Sequence, residues 1–290
     1  MSTGTKDRLV VVSGRLRRTF NGTLCVVTGG TSGIGASLCD LLAAAGATVI
    51  VAGRNMDRAD AVAARIEEHG GRAHTASVDV SDRESVEQLV RGTEAKYGRL
   101  DYLFNNAGVS VLGETRDMEI DHWQPVIDVN LWGVIYGTTK AYEVMARAGG
   151  GHIVNVSSGA GLFPVACNVP YTAAKHAVVA LSRAMRAEAA AAGVKISVAC
   201  PGAVRTNMAH AVPVVNFPRE IAAKFLDDGI EAATAALQIL RGVARNRATI
   251  VFPGSIRFMW WISRMSPRLF DRLCLLHIKV LRRMVAKATS

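Results

Sequence analysis

Aromatic residues make up only 6% of this 290-residue sequence, and cysteine occurs five times, an odd number. Cys25, Cys39, Cys167, Cys200 and Cys274 are scattered and never fall in C-x-x-C spacing. That argues against a disulfide framework or a structural zinc site, and for a reducing compartment. The seven histidines form no cluster at ligand spacing, so no metal is expected. No apolar run approaches the ~18 uninterrupted residues that a membrane span requires. The first apolar stretch, Leu9 to Val12, is too short for the core of a secretory leader. These absences predict a soluble, cytoplasmic protein. Half of the residues are apolar and a fifth are charged, which excludes disordered, collagen-like and coiled-coil chains. The length suits one large α/β domain.

Acidic residues are also in the minority, and the net charge is +10. The excess sits at the ends. Residues 1–20 carry five basic residues and one acidic, and residues 256–290 carry eight and one. The stretch between them holds 21 basic against 22 acidic residues. A nucleic-acid reader would spread lysine and arginine over its folded body beside a recognisable reading motif, and neither is present. No nucleic-acid partner is expected. The chain therefore divides into a basic N-terminal extension (1–20), a domain (21–255) and a basic tail (256–290).

Within the domain, apolar runs alternate with helical patterns. Strands are predicted at 24–27, 48–52, 73–78, 102–104, 152–156, 194–199 and 248–252, with helices of 10–20 residues between most of them. Continuous apolar strands alternating with helices imply a doubly wound parallel sheet, covered on both faces. Ser81-Asp82-Arg83-Glu84 has the pattern of a capping box at the start of one helix.

Three glycines, Gly29, Gly33 and Gly35, follow the first strand and open the first helix. Such a turn lets backbone approach a pyrophosphate, and the helix N-terminus adds free N–H groups and partial positive charge. Thr31, Ser32 and Ile34 lie in the same turn. The second strand ends in Ala52-Gly53-Arg54-Asn55. An acidic residue there would accept from a ribose 2′-hydroxyl; Arg54 instead suits a 2′-phosphate, aided by the Thr31 and Ser32 hydroxyls. The predicted cofactor is NADP(H) in preference to NAD(H).

Tyr171 and Lys175 stand at i and i+4 on one predicted helix. Tyr136 and Lys140 share that spacing. They differ in context: Ser158 lies thirteen residues before Tyr171, directly after the fifth strand, whereas Trp123 holds that offset from Tyr136. Tyr171 is therefore the candidate acid–base, and Tyr136 a packing residue. A phenol titrating near ~10 is too weak an acid for neutral pH, and a neighbouring ammonium lowers that value. Ser158 can hold a carbonyl or hydroxyl oxygen, and Asn130 can order a water that passes protons from Lys175.

T-G-x-x-x-G-I-G at 28–35, Asp79-Val80, Asn105-Asn106-Ala107-Gly108, Asn130, Ser158, Tyr171/Lys175 and Pro201-Gly202 with Thr206 occur in a set order. In that order the sequence resembles the short-chain dehydrogenase/reductase family over residues 21–255. The resemblance implies a single-domain Rossmann-type sheet of seven strands and NAD(P)-linked alcohol/carbonyl interconversion. It implies catalytic Asn130, Ser158, Tyr171 and Lys175. It also implies a cofactor site in which Asp79 holds the adenine amino group, Val80 flanks it, Asn106 lines the adenosine ribose, and Ala107 and Gly108 take part. Tyr171 and Lys175 would bind the nicotinamide ribose, and Val204 and Thr206 the carboxamide. A homodimer or homotetramer is expected. A catalytically retired NADP(H)-binding module is the other reading, and four intact catalytic positions weigh against it.

Asn21-Gly22-Thr23 and Asn155-Val156-Ser157 match glycosylation sequons, but one abuts a strand and the other lies inside one. Neither is taken as a modification site. The stretch from Met208 to Phe217 is apolar and turn-rich, and reads as a substrate lid over an apolar, lipid-like substrate. In the tail, Ser266 and Pro267 read as the start of a helix. Leu269, Leu273, Leu276, Val280 and Met284 form one stripe, amid Arg268, Arg272, Lys279, Arg282 and Arg283. Such a helix lies on an anionic membrane surface or packs on its own domain or another subunit.

Overall fold

The computed structural model describes residues 13–206, 211–216, 218–219 and 229–289, with side chains to residue 285. Seven strands form one parallel sheet: β1 (Leu24–Thr28), β2 (Thr48–Gly53), β3 (Arg72–Ser77), β4 (Tyr102–Asn105), β5 (Gly151–Val156), β6 (Val194–Pro201) and β9 (Thr249–Phe252). Their order is β3-β2-β1-β4-β5-β6-β9. The chain moves outward in one direction from β1, then returns to β4 and moves outward in the other. All seven predicted strands are present, each within a residue or two of its expected bounds. A short pair, β7 (Val204–Arg205) and β8 (Ile230–Glu231), lies apart from the sheet.

Helices cover both faces, as buried parallel strands require. On one face lie α1 (Gly14–Phe20), α2 (Gly33–Ala44), α3 (Met56–Glu68) and α8 (Ala232–Val243), whose apolar stripes enclose Val27, Val49 and Val51. On the other lie α4 (Arg83–Tyr97), α6 (Gly133–Arg147) and α7 (Val169–Ala189), packed on Val26, Leu103, Ile153 and Val198. The short α5 (Ile120–Ile127) precedes α6. Helix ends follow local chemistry. Gly98 ends α4 in the left-handed conformation, which a glycine adopts without a Cβ penalty. The N-cap of α4 is Asp82 and not Ser81: its carboxylate accepts from the backbone N–H groups of both Glu84 and Ser85. Ser81 is instead bonded to Asp79.

The first helix is part of the core. Leu16 and Phe20 are fully buried, and Phe20 packs on Tyr102 with ring centroids 5.0 Å apart. Two further helices follow the sheet, α9 (Gly254–Met265) and α10 (Pro267–Thr289). No helix among the described residues is long and apolar enough to cross a membrane.

Phe20→Ala is expected to destabilise the protein by about 3–5 kcal/mol, the usual cost of emptying a buried aromatic site. Chemical denaturation checks this. A cost below ~1 kcal/mol would show that α1 rests on the body without supporting it.

Candidate active site

The sheet order reverses between β1 and β4, so their connections leave toward opposite faces and open a crevice at the carboxyl ends. One hydroxyl fastens that seam. Thr28 Oγ1 donates to Phe104 O at 3.3 Å and accepts from the backbone N–H groups of Asn106 and Ala107 at 3.1 and 3.3 Å. The Asn106 amide donates back to Thr28 O and Gly29 O at 3.1 and 3.2 Å. This brings the first glycine of the turn onto the 105–108 segment.

The turn has no room for a side chain at its three glycines. Gly29 and Gly33 have φ of 64° and 52°, a region that favours glycine. A Cβ on Gly29 would stand 2.8 Å from Ala107 Cα, one on Gly33 2.9 Å from Thr206 Cγ2, and one on Gly35 2.0 Å from Gly29 O. Helix α2 starts at Gly33, with no side-chain hydrogen bond from Ser32 and no acidic residue in its first turn. Its N-terminal N–H groups and dipole therefore face the crevice without a side-chain anion. Thr31 packs against Gly53, where β2 ends. These features fit the pyrophosphate of a dinucleotide.

At the end of β2, Arg54 is exposed and its Nη1 stands 4.0 Å from Asp79 Oδ2. Asn55 spends its side chain as the cap of α3, accepting from Arg58 N at 2.9 Å. Asp79 accepts from Ser81 Oγ and N at 2.6 and 3.0 Å. Those bonds, with a smaller part from Arg54, hold its carboxyl below the usual range. Val80 is buried beneath, against Gly133.

Ser158 follows β5, and Tyr171 and Lys175 occupy the first turns of α7. Tyr171 and Ser158 are half-buried, whereas Lys175 is 2% exposed. The Lys175 ammonium lies 5.4 Å from the Tyr171 ring centroid and donates to Val156 O at 3.0 Å. A Cβ on Gly108 would stand 2.8 Å from Asn130 Oδ1 and 3.6 Å from Lys175 Nζ, so Asn130 and Lys175 flank the same glycine. Asn130 is fully buried in a π-type turn, Asp128–Trp132, between α5 and α6. Its amide donates to Val109 O and accepts from Val109 N, at 2.7 and 3.1 Å.

Burial sets the electrostatics. It pushes the Lys175 ammonium down from its ordinary 10.5 to about 8. It also pushes the Tyr171 phenol up, against a hydrogen bond from the Ser158 side chain that pulls it down. A lysine one turn from Tyr171 predicts a lowered phenol. In the chain alone the opposite holds, because desolvation outweighs the Ser158 hydrogen bond.

The second tyrosine–lysine pair lies elsewhere. Tyr136 stacks on Trp132 at 5.8 Å, and Lys140 is paired with Glu143 and with Glu87 at 3.8 Å, on the seam between α4 and α6.

Several organising roles, that of Asn105 in the 105–108 motif among them, are not read from the sequence. Asn105 donates to Asn155 Oδ1 at 2.8 Å and Thr138 Oγ1 at 3.2 Å, and Asn155 donates to Ser182 Oγ at 2.9 Å. This network ties β4 and β5 to α6 and α7 directly behind the site. Ser157 donates to Lys175 O at 2.8 Å. The available signal was polar side chains inside apolar strands, which must find partners when buried. Asn155 is fully buried within that network, which explains its place in a sequon that carries no surface loop.

The described part of the lid stretch is clipped to a neighbouring loop: Leu112 N donates to Pro213 O and Val215 N to Leu112 O, at 3.0 and 2.8 Å. Met208–His210 and Phe217 lie outside the described residues.

A parallel sheet with a central switch point and a glycine turn on an uncapped helix define a Rossmann-type nucleotide-binding protein. The family model for short chain dehydrogenases matches residues 23–214. The 3beta-hydroxysteroid dehydrogenase of Mediterraneibacter gnavus is 38% identical over 190 residues, 65% of this chain and 68% of that protein. A 3-oxoacyl-[acyl-carrier-protein] reductase of Synechocystis sp. is 35% identical over 203 residues, 67% of this chain and 80% of its own. A short chain dehydrogenase/reductase from Burkholderia phymatum, solved in complex with NAD, superposes with a TM-score of 0.80 at 26% identity, covering 86% of this chain and 95% of that one. The chain belongs to the short-chain dehydrogenase/reductase family, and is an oxidoreductase of alcohol and ketone groups.

The depressed Lys175 value yields a stability test. Its folded value lies below the unfolded one, so keeping the ammonium charged costs stability at low pH. That cost fades as pH rises from about 8 toward 10.5. Lys175→Met without nucleotide is expected to match or exceed the parent near pH 7, by up to about 1–3 kcal/mol, with the gap closing toward pH 10. Melting curves across that range check it; a variant weaker at every pH would make the bond to Val156 O a structural prop.

Proposed function

We propose that the chain is an NADP(H)-dependent oxidoreductase that interconverts a secondary alcohol and a ketone on an apolar, lipid-like substrate. The observation that carries this reading is the convergence of Ser158, Tyr171 and Lys175 at the carboxyl end of β5, beside the crevice. Gly29, Thr31, Ser32, Gly33, Ile34 and Gly35 would cradle the pyrophosphate. Arg54, with Asn55 beside it, would face the 2′-phosphate. Asp79 and Val80 would flank the adenine, and Asn106, Ala107 and Gly108 the adenosine ribose. Tyr171 and Lys175 would hold the nicotinamide ribose, and Val204 and Thr206 the carboxamide. When bound, the dinucleotide supplies or accepts the hydride.

The protein's own part is to manage an oxygen and a proton. Ser158 Oγ donates to the substrate oxygen and fixes it beside Tyr171 Oη. Tyr171 gives its proton to the oxygen as the ketone is reduced, and takes it back in the reverse direction. A phenol raised by burial is a reluctant phenolate, so the nearby Lys175 cation must stabilise the charge that forms. Asn130, whose amide is tied to Val109 and which flanks Gly108 with Lys175, would order a water that passes protons from Lys175.

Arg54 supports NADP(H), since it is exposed and only loosely paired at the end of β2. The apolar substrate is supported by the lid stretch and by relatives named for a hydroxysteroid and an oxoacyl group.

Tyr171→Phe is expected to lower kcat by about a thousandfold while leaving NADPH affinity within a few fold, since general acid–base catalysis is worth about 10²–10⁴. Full activity would move the proton transfer elsewhere. Arg54→Ala is expected to cut kcat/KM for NADPH by about tenfold and leave NADH almost unchanged. Steady-state kinetics with both nucleotides decide it, and equal losses for the two would refute the 2′-phosphate contact.

A further inference from the structure

Helix α10 carries two apolar stripes, and only one faces the body. Phe270 and Leu281 are 3% and 4% exposed, and Phe270 packs against Phe163 with centroids 5.5 Å apart. Arg282 fastens the same side with two hydrogen bonds to Glu114, at 2.9 and 2.8 Å. The stripe expected from the sequence is the other one. Leu269, Leu273, Leu276, Val280 and Met284 all face outward, with Leu276 60% exposed. Helix α9, which packs beside α10, adds Phe258, Trp261 and Met265, which are 61%, 58% and 66% exposed. Such a run of exposed large side chains is far from the scattered singles normal on a protein surface.

The charges around it have one sign. On a helix of 3.6 residues per turn, Arg268, Arg272, Lys279 and Arg283 fall along one flank of the outer stripe. Asp271, the single acidic residue after position 255, falls on the far side. Arg264 lies over the Trp260 ring at 5.7 Å.

We propose that the outward face of α9 and α10 is a docking surface for an anionic lipid bilayer, on which the helices lie flat. The apolar stripe enters the headgroup boundary and the arginines and lysine meet lipid phosphates. A second copy of the chain fits this face poorly, since an antiparallel two-fold contact would set the same basic flanks against each other, and a parallel one would offer the arginines and lysine no acidic partner from α10, whose Asp271 lies on the far side. Packing on the chain's own domain is already accomplished by the opposite stripe. Docking has a structural consequence, because the inner side of α10 grips Glu114 and Phe163, which follow Gly113 and the Ser158–Gly161 turn. The rim of the site is thereby tied to the surface on which the protein rests. This inference does not depend on the cofactor or substrate assigned above.

The full chain should co-sediment with vesicles of phosphatidylcholine containing about a third phosphatidylglycerol, far more than with phosphatidylcholine alone, and less as salt is raised. Leu273→Glu with Leu276→Glu should lower partitioning by about tenfold or more, and so should Arg272→Glu with Lys279→Glu. All four side chains are on the surface, so circular dichroism and melting should match the parent. If the leucine pair fails to fold, the charge reversal carries the test alone. Absence of binding to the anionic vesicles, or equal binding by the folded variants, overturns the proposal. So does a parent oligomer that the leucine pair converts to monomer in size-exclusion chromatography, since a second copy would then cover this face.

Discussion

Two neighbouring parallel strands whose connections run to opposite faces cannot be closed over by the same helix. The gap between β1 and β4 follows from that constraint, and the rest of the site is arranged around it. Keeping the gap narrow requires backbone to meet backbone, hence Gly29 against Ala107 and Gly35 against Gly29. Keeping it from sliding requires a polar fastener in an apolar seam, which Thr28 supplies with three hydrogen bonds from one hydroxyl. The glycine turn and the 105–108 segment are one assembly.

Behind the crevice the protein buries a cluster of polar side chains. Asn105, Asn155, Thr138, Ser182, Asn130 and Lys175 are all almost inaccessible. Each is bonded, and among the described residues no buried side-chain polar atom lacks a partner. A satisfied network of this kind is rigid, because any shift would leave a desolvated group unpaired. The network links β4, β5, α6 and α7, the elements that carry Ser158, Tyr171 and Lys175. Strain is thus avoided where precision is needed. The exception is the Lys175 cation, held where burial opposes its charge.

Much of this was legible in the sequence because parallel strands buried on both faces must be largely apolar, and most of the seven are such runs between turn and helix signals; the half-exposed edge strand β3 is the exception. The Tyr171 and Lys175 pair could be separated from Tyr136 and Lys140 by the position of Ser158, since the topology brings the end of β5 to the start of α7. Other features were hidden for physical reasons. The cap at Asp82 went to the side chain that reaches two N–H groups, which spacing alone does not rank. The raised Tyr171 value depends on how much water its oxygen loses and on the hydrogen bond that Ser158 makes to it. Neither is a property of spacing.

The tail shows the same division most plainly. Composition and periodicity determined that residues 267–289 make an amphipathic, basic helix, since propensity and spacing are local. They also determined the sheet, the nucleotide turn and the residue types able to move a proton. Which stripe of that helix meets the body was decided by tertiary structure, through the Phe163 ring and the Glu114 carboxylate that Phe270 and Arg282 find there. The asparagine network and the depressed lysine were decided in the same way. Burial and pairing depend on what the rest of the chain brings alongside, and no local pattern records it.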